Sequence, residues 1–166
     1  MGRLEKDKNL VNLFQSLEGI DIKLVVIGSG SLRGGLEELA KEKKINVVFK
    51  GNITQENIPD ELNKSEIFVL PSLHEGNPKV LLEAMACGIP CLGMDVGGIN
   101  SVISHMDNGI LSKTDSASIG TAIIELLGDK ELCAKLGANA RKSIEMHNSF
   151  QVCAEKELSL YSSKLQ

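Results

Sequence analysis

The sequence has no excess of positive charge: 18 Lys and Arg against 22 Asp and Glu give a formal net charge of −4 over 166 residues. A phosphate backbone is bound by a basic surface, so nucleic acid is not expected as the main partner. No apolar run approaches the ~18 residues that read as a membrane span. The opening MGRLEKDKN is charged, where a signal peptide needs an apolar stretch, so none is expected. Cys87, Cys91, Cys133 and Cys153 form no C-x-x-C pair. Reduced thiols are therefore expected rather than a disulfide framework or a zinc site. No internal repeat or low-complexity stretch is visible.

What is present is an ordinary globular composition, 42% hydrophobic and 24% charged, at a length suited to one domain. Short apolar runs alternate with longer amphipathic ones. Residues 23–27, 46–49, 67–70 and 90–94 read as strands, bounded by Gly28, Gly51 and Pro71, with a last short strand at Ile110 and Leu111. Ser31 is expected to cap a helix from Leu32 to about Lys44. A short helix is expected from Thr54 toward Asn63, another from about Pro78 to Cys87, and a turn with a short helix after Gly97-Gly98. From Asp115 the chain reads as helices, broken at Gly128-Asp129 and near His147-Asn148. Strands alternating with helices predict a Rossmann-like three-layer α/β/α sandwich with a parallel sheet, whose ligands sit outside the carboxyl ends of the strands. Gly28-Ser29-Gly30 lacks a third Gly and an acidic residue near position 49, so a nicotinamide or flavin cofactor is not expected.

The chemistry concentrates between Pro71 and Gly98, PSLHEGNPKVLLEAMACGIPCLGMDVGG. Asn77 is suited to cap the helix and Pro78 to be its first residue. Val80, Leu81, Leu82, Ala84, Met85 and Ala86 make that helix apolar nearly all round, interrupted by Glu83. A carboxylate so placed must find a partner or lose its charge. It either pairs inside the protein or serves a ligand. Glu75 sits in the loop before the helix, either as a solvated residue favoured by the helix dipole or as part of a site. The amides of Gly76, Asn77, Lys79 and Val80 can meet an anion there. Two carboxylates beside a phosphate make sense if they accept from sugar hydroxyls.

Glu75 and Glu83 form E-x7-E inside S-L-x-E-G-x-P-x-x-L-L-E-A-M-A-C-G-x-P, which resembles the signature of glycosyltransferase family 4, the group 1 family. Gly2-Arg3-Leu4 with Lys8 resembles its opening G-R-L-x-x-x-K, with Asn9 where the family has Gly. Ile27–Gly30, Val48–Gly51 and Asp107–Gly109 also match, and the resemblance runs over roughly residues 2 to 162. It implies the nucleotide-sugar (donor)-binding domain of a retaining glycosyltransferase of GT-B fold, covering residues 1–166, with an N-terminal acceptor domain outside this chain. By resemblance Arg3 and Lys8 bind the diphosphate and Glu75 serves as the catalytic, sugar-contacting carboxylate. Glu83 binds the ribose diol, the amides of residues 76–80 support the distal phosphate and sugar, and the backbone at Asn52 and Ile53 meets the base. The donor is expected to be a UDP- or GDP-sugar, with no cofactor and no metal. The acceptor is expected to be a glycan or lipid reached through the other domain. The expected location is cytoplasmic, with peripheral contact at the inner face of the plasma membrane open to the full-length protein. His74, His105 and His147 receive no role, although His74 adjoins Glu75.

Two other readings use the same residues: a nucleotide-sugar-binding module with no activity of its own, and a nucleotide-sugar epimerase of GT-B type. The epimerases lack the combination of G-R-L-x-x-x-K with E-x7-E. A receiver-like domain needs acidic residues at the ends of early strands, where this chain has Ile27 and Phe49.

Overall fold

The computed structural model describes residues 1–164. Its strands are β1 (Lys23–Ile27), β2 (Asn46–Gly51), β3 (Phe68–Leu70), β4 (Cys91–Met94) and β5 (Ile110–Ser112). The helices are α1 (Leu10–Ser16), α2 (Arg33–Glu42), α3 (Ile58–Leu62), α4 (Lys79–Ala86), α5 (Ser116–Gly128), α6 (Lys130–His147) and α7 (Phe150–Lys164). Every strand pair is parallel. The strands fall into two sheets, β1-β2 and β3-β4-β5, rather than one.

Two apolar clusters cover opposite faces. One joins α1, α2 and α5 through Leu13, Phe14, Leu36, Ile119 and Leu126 to Leu92 and Met94 of β4. The other joins α3, α4 and α6 through Leu62, Leu81, Met85 and Ile144 to Phe68 and Leu70 of β3. β4 is buried at all four positions, as a strand covered on both faces must be. The thiol of Cys91 lies in that interior, and burial pushes its pKa well above the usual thiol range. It is therefore a small hydrophobe here rather than a reactive group.

Local signals account for the later helices. Asp115 caps α5 by accepting from the Ser118 N–H, and Asp129 caps α6 by accepting from the Leu132 N–H. The two bonds to Ser118 hold the Asp115 carboxyl below its usual range. The early helices begin differently. Ser31 does not cap α2. Its N–H and hydroxyl both donate to the Glu5 carboxylate, which ties the 29–31 loop to the opening segment, and Leu32 takes the cap position without a side-chain bond. Nor does Asn77 cap α4. Pro78, at ψ 67, stands just outside the helix, and its carbonyl accepts from the Leu81 and Leu82 N–H groups. After Gly97-Gly98 the chain makes turns and no helix.

Candidate functional site

Three loops meet at the carboxyl ends of the strands. The first, residues 2–9, lies alongside the carboxyl end of β1, where the Gly2 N–H donates to Ile27 O and the Leu4 N–H donates to Ser29 O, both at 2.9 Å. This approach demands glycine at 28: a Cβ there would overlap the Gly2 carbonyl, and φ is +131. The loop then forms a 3-10 turn at Lys6–Lys8 and ends on Asn9, in the left-handed region at φ 54. Asn tolerates that conformation better than other residues with a side chain. Its amide donates to Thr114 O at 2.8 Å, so Asn in place of the family's Gly adds a tether.

The second loop, 71–78, leaves β3. Ser72 is fully buried, and the Leu73 N–H donates to Asp7 O at 2.9 Å, which locks the second loop to the first. Glu75 then meets Lys8: Nζ lies 2.7 Å from Oε1, and the Ser72 hydroxyl donates to the same oxygen at 2.7 Å. The Lys8 and Glu75 side chains retain only 18% and 15% exposure, so water screens this pair less than a surface one. Asp7 lies 3.6 Å from Lys8 Nζ and 3.9 Å from the Arg3 guanidinium. Arg3 itself is 77% exposed, free to turn toward a ligand.

The third loop carries Gly97-Gly98. Gly98, at φ +82, lies so close under Glu75 that a Cβ would overlap the Glu75 carbonyl. The loop thus supports the segment bearing the acid.

A cavity of about 240 Å³ is lined by Met1, Gly2, Arg3, Lys8, Glu75, Asn77, Pro78, Lys79 and Val80. Of the sequence-derived residues, Arg3, Lys8, Glu75, Asn77, Lys79 and Val80 therefore share one wall set. Gly76 is exposed beside it. The Lys79 N–H is bonded to Asn77 O, so Gly76, Asn77 and Val80 remain as amide donors at the start of α4. Glu83 does not line this cavity. It follows Lys79 and Val80 by one turn, on the same side of α4. Its Oε2 is buried with no hydrogen-bond partner among the described residues. An orphaned carboxylate oxygen is costly. This rules out the internal cap or ion pair that the sequence left open for that oxygen. Asn52 and Ile53 lie apart, beyond β2, where Asn52 Oδ1 accepts from the Ser29 hydroxyl at 3.1 Å. His74 is exposed and makes no hydrogen bond to Glu75. Ser72, Asp7 and Gly98 were not singled out from the sequence. Ser72 stands within the matched motif, but its bond to Glu75 was not visible there.

The family described as "Glycosyl transferases group 1" matches residues 1–143. The chain belongs to that family. It is 35% identical over 164 residues to the N-acetyl-alpha-D-glucosaminyl L-malate synthase of Bacillus anthracis, covering 96% of this chain and 42% of that protein. The capsular polysaccharide biosynthesis glycosyltransferase CapM of Staphylococcus aureus is 31% identical, over 100% of this chain and 46% of its own length. Among solved structures, the sucrose-phosphate synthase of Thermosynechococcus elongatus superposes with a TM-score of 0.88 at 25% identity, covering 99% of this chain and 45% of that one. The group 1 chain thus spans about half the length of the curated relatives it matches, and its fold is one Rossmann-like half of the GT-B architecture.

Proposed function

We propose that this domain binds the nucleotide-sugar donor of a retaining glycosyltransferase, a UDP- or GDP-sugar whose glycosyl group passes to a glycan or lipid-linked acceptor held by another domain. The observation that carries this reading is the convergence of Lys8, Arg3 and the α4 amides on Glu75 at the carboxyl end of β3. In this reading Arg3 and Lys8 hold the diphosphate, assisted by the amides of Gly76, Asn77 and Val80. Lys79 contributes its position at the helix start rather than its amide. Glu83 Oε2 accepts from the ribose diol, which gives the orphaned oxygen a partner. Asn52 and Ile53 present backbone to the base. Glu75 holds the donor sugar beside its anomeric carbon.

The chemistry follows from charge. As the glycosyl bond to the diphosphate breaks, positive charge grows at the anomeric carbon and negative charge on the leaving phosphate. Glu75 favours the first, and Lys8, Arg3 and the helix amides favour the second, so the bond is polarised without a metal. The Lys8 ammonium has donors beyond the one given to Glu75, so in this reading it reaches the diphosphate while it and Ser72 keep Glu75 in place. A binding module with no activity of its own is the second reading, because the chain spans about half of its relatives.

Glu75→Gln in the full-length enzyme tests the assignment. The substitution keeps the shape and removes the charge, so single-turnover transfer should fall by roughly 10²-fold, while UDP and GDP affinity stays near the parental value. Transfer at the parental rate, or loss of plain nucleotide binding instead, contradicts the role given to Glu75.

A further inference from the structure

We propose, resting on the donor-binding reading above, that Asp7 sets the site against its own product. Its carboxylate is a fixed counter-charge behind the phosphate-binding cations. It weakens retention of the free nucleoside diphosphate more than that of the donor. Asp7 lies in the 3-10 turn Lys6–Lys8, and its carbonyl accepts from the Leu73 N–H at 2.9 Å. Its backbone is thus fixed to the loop that carries Glu75. The carboxylate is engaged by charge alone: Oδ2 lies 3.6 Å from Lys8 Nζ and 3.9 Å from the Arg3 guanidinium, both beyond hydrogen-bond range. Arg3 and Lys8 line the cavity beside α4, and Asp7 does not. The carboxylate therefore meets the two cations from outside the cavity that they line.

A group so placed has two opposing effects. By holding the cations it preorganises them, and by its charge it cancels part of the field they present to a phosphate. The distances decide between the two. Lys8 is already held by Glu75 at 2.7 Å. Arg3 is 77% exposed, and its contact with Asp7 is long, a kind of ion pair that contributes little. Asp7 therefore adds little positioning. Its charge, in contrast, lies within a Debye length, about 8–10 Å, of a phosphate held by either cation. The half-exposed surroundings reduce this repulsion without abolishing it. The repulsion grows with the charge of the ligand. In the donor the distal phosphate is esterified to the sugar and ionises once. In the released nucleotide it is a monoester whose second ionisation falls near pH ~6, so the product carries more negative charge at neutral pH. Asp7 repels the product more strongly than the donor and so favours emptying of the site after transfer.

The experiment is calorimetric titration of UDP and GDP into the parent protein, into two neutral forms, Asp7→Asn and Asp7→Ser, and into Asp7→Glu, which keeps the charge. The β-methyl ester of each nucleotide, which has the donor's phosphate charge without its sugar, is titrated alongside. At low salt the neutral forms should bind the nucleoside diphosphate about three- to tenfold more tightly than the parent. The gain should be smaller for the methyl ester, and Asp7→Glu should bind as the parent does. In about 1 M salt the gain should largely vanish, which a merely structural change would not reproduce. Neutral forms that bind no more tightly than a nucleotide-binding parent overturn the proposal alone. So does an equal gain for the methyl ester, or a gain that survives high salt. Absence of binding to every folded form contradicts the nucleotide-sugar reading itself, and the role of Asp7 falls with it.

Discussion

Glu75 accepts from Lys8 and Ser72 on the same oxygen, which leaves Oε2 directed by a side chain that can no longer rotate freely. Such fixing matters for chemistry, because only interactions stronger in the transition state than in the ground state raise the chemical rate. Gly98 lies against the backbone that bears this carboxylate. Replacing it with Ala places a methyl group against the Glu75 carbonyl and strains a backbone at φ +82. The loop must shift or the strain must be borne, at a cost of roughly 1–2 kcal/mol for the left-handed conformation alone. Gly98→Ala should therefore lower the urea midpoint modestly and, on the function proposed above, cut sugar transfer by about 10- to 100-fold, the scale of a sub-ångström to 1 Å misplacement. Unchanged transfer and unchanged stability would show that the loop under Glu75 is not a support.

At the scale of elements, α4 links the site to the interior. Leu81, Ala84 and Met85 are each 0% exposed, and this packing sets the direction in which Lys79, Val80 and Glu83 face. Leu81→Ala should destabilise the domain by about 2–5 kcal/mol, the range for a fully buried leucine. Urea denaturation would read it, and a loss below about 1 kcal/mol would mean that α4 relaxes into the space. The helix was legible in the sequence because its apolar run and the Gly88 stop are local. Its capping was not. Pro78 took the boundary position because its own carbonyl closes the first turn. Ser31 was drawn away from α2 by Glu5, 26 residues earlier. The strands β1 to β5 were legible from short apolar runs, several of them bounded by Gly or Pro, but their division into two sheets depends on pairing between distant segments, which no local pattern carries. The same holds at the site. Glu75, Glu83, Arg3 and Lys8 stand in dense motifs, whereas Asp7 and Gly98 act through contacts with loops 66 and 23 residues away, from Leu73 and Glu75 respectively.

At the scale of the whole molecule, a chain of net charge −4 concentrates cations and helix amides at one end of its strands, with Glu75 among them and Glu83 one turn further along α4. An acidic protein that binds a diphosphate must do so locally, and the carboxylates must be offset by hydroxyls they can accept from. Neither Lys50, paired with Glu61, nor Lys43, paired with Glu18 at 3.0 Å, is available for that task. Arg3 and Lys8 are the cations that face the cavity beside α4, together with Lys79. The most direct measurement is calorimetric titration of UDP and GDP, in the presence of a chelator, into this protein and into its Glu83→Gln and Glu75→Gln forms. At least one of the two nucleotides should bind at millimolar concentration or below. Glu83→Gln should weaken that binding roughly tenfold or more, the scale of a hydrogen bond to a charged group, and Glu75→Gln should leave it nearly unchanged. A folded protein that binds neither nucleotide at millimolar concentration, or a Glu83→Gln form that binds as well as the parent, would contradict the account.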